Sequence, residues 1–193
     1  MPTILSHTAV PLALGLGLGS RVVPTRLLLV GVVAAVLPDL DVLAFRFHVA
    51  YAAAFGHRGA SHSIAFALLF GLLASLLAPQ LRAERRAAFS FVAFCAASHG
   101  VLDMFTNGGH GVALFWPVSG ERLFFPWQVI EASPLSLRRI LGGRGIEVFR
   151  SELLWVWLPA AIACTALLLF RHQGSNPSVK GTSRKRAAPY VER

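Results

Sequence analysis

The chain has 193 residues, 55% of them hydrophobic and 14% charged, with a net charge of +9 and a mean hydropathy of +0.61. A soluble globular domain carries about 25% charged residues, so the composition excludes that class, and the apolar content excludes disorder over most of the length. The two cysteines, Cys95 and Cys164, each sit inside an apolar run, which excludes a disulfide scaffold.

Five apolar stretches follow one another along the chain, at residues 4–19, 27–37, 64–78, 87–105 and 153–170. A helix needs about 20 residues to cross the hydrocarbon core. The fourth and fifth stretches are long enough, and the third becomes so once Ser61 to Ser63 are included. The first two are short and need their polar ends held within protein, or a locally thinned bilayer. The first has no basic n-region and no Ala-x-Ala site, so it reads as a helix rather than a signal peptide. Gly15, Gly17 and Gly19 near its end permit close helix packing. The pattern predicts an all-α, polytopic integral membrane helix bundle with about five transmembrane helices. Residues 1–170 form the membrane-embedded domain, and residues 171–193 a basic, disordered tail.

The cations punctuate the apolar runs and do not gather on an amphipathic face, so nucleic acid is not expected as a partner. Arg21 and Arg26 lie between the first two stretches; Arg82, Arg85 and Arg86 lie between the third and fourth. Together with the tail these segments hold 11 of the 18 Lys and Arg. The positive-inside rule makes that side cytoplasmic. The expectation is a multi-pass protein of the inner (cytoplasmic) membrane with an extracytoplasmic N-terminus and a cytoplasmic C-terminus. Residues 106–152 then lie outside, where Trp116, Phe124, Phe125 and Trp127 read as an aromatic belt at the interface.

Four polar clusters stand out against this background: His7; Pro38-Asp39-Leu40-Asp41; the run from His57 to Ser63; and the run from Ser98 to Asp103. They contain every aspartate of the chain. Ionisable groups at membrane depth are expensive and point to function. In the expected topology all four clusters lie on the extracytoplasmic side, in one layer of the bundle. His99 and Asp103 are four residues apart and share a helical face. His nitrogen and Asp oxygen are the ligand set of zinc and related divalent ions. Their number suits an open catalytic site or a two-metal site, and Arg58 can clamp a phosphate or carboxylate.

Plainer readings exist for each residue alone. Asp39 after Pro38 can be a helix stop, Ser61 and Ser63 can cap the third helix, and His99 with Asp103 can be a buried hydrogen-bonded pair. His48, His110 and His172 read as interfacial residues. Taken jointly, four clusters on one side point to a metal or proton site.

The same residues resemble a family of small bacterial and archaeal integral membrane proteins described as membrane-bound metal-dependent hydrolases. The matching elements are His7, Pro-Asp-x-Asp at 38–41, His-Arg-Gly-x-x-His-Ser at 57–63 and His-x-x-x-Asp at 99–103. Thr106-Asn107-Gly108 and Leu114-Phe115-Trp116-Pro117 continue the likeness, which covers residues 1–130. The order of the motifs is also distantly similar to the zinc-dependent phospholipase C and P1 nuclease group, which lends a phosphoester substrate to the expectation.

These readings combine into one expected scheme of roles: a membrane-bound metal-dependent hydrolase holding one or two zinc-like ions. The expected ligands are His7, Asp39, His57, His62, His99 and Asp103. Asp41 is a further ligand or a supporting group, Asp41 or Asp103 serves as general base, and Arg58 holds the substrate anion. The substrate is a phosphoester, small or lipid-linked, and membrane lipid is the other partner. The alternatives are an ion or proton transporter and a non-enzymatic membrane scaffold.

Overall fold

The computed structural model describes residues 1–134 and 143–175. Helices α1 (Ile4–His7) and α2 (Ala9–Leu18) are separated by a step at Thr8. Pro11 lacks the N–H that would bond the His7 carbonyl one turn back, which favours a break there. Helix α3 (Thr25–Val36) tightens at Pro38 into a 3-10 segment, Leu37–Phe47. After a loop come α4 (Ile64–Leu76), a single turn α5 (Ala78–Leu81) and α6 (Arg85–Met104). Helix α7 (Gly143–Glu152) passes through a π-helical turn, Leu153–Trp157, into α8 (Leu158–Ser175). Among the described residues there is no strand; Thr106 with Ile130 and Val112 with Leu123 form isolated bridges.

Three helical runs are long and apolar enough to cross a membrane: Thr25–Phe47 at 23 residues, Arg85–Met104 at 20 and Gly143–Gln173 at 31. Ile4–Leu18 and Ile64–Leu76 are shorter apolar helices. The all-α membrane bundle is therefore as expected, with differences in span. The second span gains length from the 3-10 continuation past Pro38. The fifth begins ten residues early, at Gly143. The third does not extend back through residues 61–63, because Ser63 is in extended backbone (φ −83°, ψ 157°) and caps α4 by accepting from the Phe66 N–H at 3.1 Å. The first five residues of the expected tail continue α8 to Ser175; the remainder lies outside the described residues.

The core is built from small side chains: Ala34, Ala35, Ala67, Ala74, Ala88, Cys95 and Ala96, with Leu27, Phe91 and Val92. Small residues let helices approach where burial of apolar surface supplies little drive, as it does in lipid. A Cβ on Gly71 of α4 would sit 2.8 Å from the Ala93 Cβ and the Phe89 carbonyl of α6. Leucines 68, 69, 72, 73 and 76 point outward from α4, the inverse of a soluble protein and the pattern for a lipid-facing helix.

Contacts at the helix ends fix the polarity of the bundle. Thr3 and Ser6 meet Glu152, while Arg171 reaches the Leu16 and Gly17 carbonyls, so α2 and α8 run parallel. Arg26 bonds the Gln80 carbonyl at 3.0 Å. The start of α1, the 3-10 segment after α3, the loop before α4, the end of α6 and the start of the π turn thus share one end. Residues 106–134 wrap this end, held by Phe125 N–H to the Met104 carbonyl and Ile64 N–H to the Leu114 carbonyl.

Candidate metal centre

Each polar cluster reaches the centre by a local device. His7 closes α1 and is fully buried. Pro38 starts the 3-10 turn that carries Asp39 inward and Asp41 one layer behind it. His62 ends the 3-10 turn Ala60–His62, and His99 and Asp103 come from one face of α6. Gly100 is needed beside them: a Cβ there would lie 2.4 Å from the His62 carbonyl, so only glycine lets the loop rest on α6.

Asp39, His62, His99 and Asp103 offer ligand atoms that all lie within 4.8 Å of one another, and all four residues are buried. His62 Nε2 is 2.9 Å from His99 Nε2 and 3.4 Å from Asp103 Oδ2. His99 Nε2 is 3.5 Å from Asp39 Oδ1. The opposite ring nitrogens are already committed. His99 Nδ1 lies 2.7 Å from the Ala35 carbonyl, and His62 Nδ1 lies 3.1 Å from Asp41 Oδ2. A carbonyl and a carboxylate only accept, so both Nδ1 atoms carry the proton and the two Nε2 atoms face each other. That contact is repulsive unless the two share a cation. Both oxygens of Asp39, both of Asp103 and both ring nitrogens of His7 make no well-aligned hydrogen bond, and Asp103 Oδ2 has only an ion pair with Arg58 Nε at 2.9 Å. Folded proteins rarely leave so many buried polar atoms unserved. Three aspartates gather around the single guanidinium of Arg58, a surplus of carboxylates that a cation can complement.

His7 borders the group, its Nε2 3.7 Å from Asp39 and 3.8 Å from Asp103, with its ring stacked on His99 at 3.7 Å. His57 stands apart. Its Nδ1 lies 2.5 Å from Asp41 Oδ1 and its ring centroid 6.0 Å from that of His62. Asp41 is the hub behind the centre, accepting also from the Arg58 N–H at 2.9 Å and Ser61 Oγ at 2.7 Å. Arg58, expected to face a substrate anion, is fully buried. Its Nε is 2.9 Å from Asp103 Oδ2, and its terminal nitrogens donate to the Gly108 carbonyl and Thr106 Oγ1 at 2.7 and 2.9 Å. A cleft of about 280 Å³, lined by Phe45, Tyr51, His57, Arg58 and Gly108 among others, opens beside this group.

Glu152 is a residue that the sequence motifs do not single out. It is buried and accepts from the Thr3 N–H, from Thr3 Oγ1 at 2.6 Å and from Ser6 Oγ at 2.8 Å. It thereby ties the segment bearing His7 to the last helix, and Trp157 Nε1 adds a bond to Ser6 Oγ at 3.2 Å. An acid placed directly before a long apolar run was the available signal.

No solved structure matches the chain. The inner membrane protein YbcI of Escherichia coli (strain K12) is 48% identical over 163 residues, which cover 84% of this chain and 94% of that relative. The family model described as YdjM inner membrane protein matches residues 1–175, that is, every helix and the whole centre. Both descriptions name an inner membrane location and no reaction. The chain belongs to the YdjM inner membrane protein family and is a helical integral protein of the inner membrane.

Proposed function

We propose that the chain is a membrane-embedded metal-dependent hydrolase that holds one or two zinc-like divalent ions and acts on a phosphoester or lipid-linked substrate near the extracytoplasmic face. The observation that carries the reading is the approach of His62 Nε2 and His99 Nε2 to 2.9 Å while each Nδ1 is bonded elsewhere. A shared proton would satisfy that pair and leave both oxygens of Asp39 and Oδ1 of Asp103 without a hydrogen bond. A divalent cation satisfies all of them, and nitrogen and oxygen donors without thiolate suit zinc and its neighbours. Asp39, His62, His99 and Asp103 are the ligands in this reading, with His7 at their edge.

A bound divalent ion supplies Lewis-acid polarisation of the scissile group and makes hydroxide available near neutral pH. Asp41 holds His62 in the tautomer that ligates and does the same for His57. His57 lines the cleft, so its Nε2 is the atom at which a proton is taken from or given to substrate, with Asp41 acting through it. Arg58 holds Asp103 and the 106–108 turn in place rather than gripping the substrate. The buried ionisable groups occupy one end of the bundle, which favours a site over a conduction path needing such groups at every depth.

The test is hydrolysis of phospholipid phosphoesters in mixed micelles by the purified full chain. Activity should vanish on chelation and return with zinc, and His57→Ala should lower kcat by about 10²–10⁴-fold with bound metal retained. An active metal-free enzyme overturns the reading.

A further inference from the structure

The end of the bundle opposite the metal centre carries a second feature. A cleft of about 490 Å³ opens where α2 ends, α3 begins and α8 ends, and its lining includes Arg21, Arg171, Ser20 and Thr25 above the apolar Leu16 and Leu28. The Arg171 guanidinium is seated by the fold. Gly19 has φ +80°, and a Cβ there would fall 2.0 Å from Arg171 Nη1, so glycine leaves the space that this group occupies. Arg171 Nη1 donates to the Leu16 and Gly17 carbonyls at 3.3 Å, at the partially negative end of α2. Arg21 is exposed and makes no hydrogen bond or ion pair with the described residues.

We propose that this cleft between Arg21 and Arg171 seats the phosphate headgroup of an anionic phospholipid. Guanidinium groups and hydroxyls match phosphate oxygens in number and geometry. Leu16 is 56% exposed below them, so an acyl chain can run down from the headgroup along a wall that a soluble phosphate ion does not need. Basic pockets between transmembrane helices are suited to such headgroups, and the attraction falls away within a Debye length.

The test is thermal unfolding of the full chain in neutral detergent, titrated with phosphatidylglycerol, phosphatidylcholine or sodium phosphate. Phosphatidylglycerol at ten times its half-saturating level should raise Tm by about 3–6 °C, with no rise from phosphatidylcholine or phosphate. The rise should be lost in Arg21→Gln/Arg171→Gln and kept in a tail variant with Lys180, Arg184, Lys185 and Arg186 all replaced by Gln. An equal rise in the double variant, an equal rise from phosphatidylcholine or phosphate, or loss of the rise in the tail variant overturns the proposal. Should the double variant not fold, Arg21→Gln alone removes no contact of the fold and should raise the half-saturating phosphatidylglycerol level about tenfold; an unchanged level overturns it.

Discussion

Asp41 shows how a residue can govern a centre it does not enter. Its two oxygens serve the His57 and His62 rings, the Ser61 hydroxyl and the Arg58 N–H. Exchange for Asn keeps the shape but removes charge and offers an amide N–H₂ where only acceptance is useful. Asp41→Asn is therefore expected to weaken zinc binding by about 10–100-fold, read by competition with a metal indicator, with the helical content unchanged; undiminished affinity would contradict the role. The residue types were legible in the sequence, since every aspartate of the chain falls in the four clusters. Their ranks were not. Spacing along the chain does not say that His57 turns towards Asp41, or that the Ala35 carbonyl fixes the His99 tautomer at 2.7 Å. A backbone carbonyl leaves no mark in a sequence.

At the scale of elements, two glycines separate stability from function. Gly71 lets α4 approach α6 through the Ala93 and Phe89 contact, far from the centre, whereas Gly100 lets the His62 loop rest beside His99. Alanine at either position overpacks a tight contact and should cost about 1–3 kcal/mol, seen as a lowered Tm in detergent. Only Gly100→Ala should also weaken metal binding, because it lifts His62 from His99; equal metal affinity in both variants would contradict this. Hydropathy made the apolar runs visible but misjudged their ends. Pro38 turns α3 into a tighter helix that continues the apolar run, and Ser63 takes the capping role open to it, so α4 begins at Ile64 and residues 61–63 do not lengthen it. Both outcomes depend on backbone hydrogen bonding that apolar content does not encode.

For the whole molecule, the candidate metal centre lies at one end of the bundle and the arginine-rich turns at the other. Under the positive-inside rule the expected orientation has the centre and the N-terminus outside and Arg21, Arg26, Arg82 and Arg171 in the cytoplasm. A fluorescent reporter fused after Arg193 should mature and shine, while alkaline phosphatase at the same point should stay inactive; the reverse pattern contradicts this orientation. The layer of His and Asp at one end was legible because the motifs fall at alternating helix ends. The buried Glu152 that binds the first segment to the last helix was not, since that contact spans 149 residues of chain. The most direct measurement is elemental mass spectrometry of the detergent-purified, never-chelated protein beside a His62→Ala/His99→Ala variant. The expected result is about one or two equivalents of zinc or a similar ion per chain, lost in the variant. A folded native sample with no bound metal would contradict the metal centre itself.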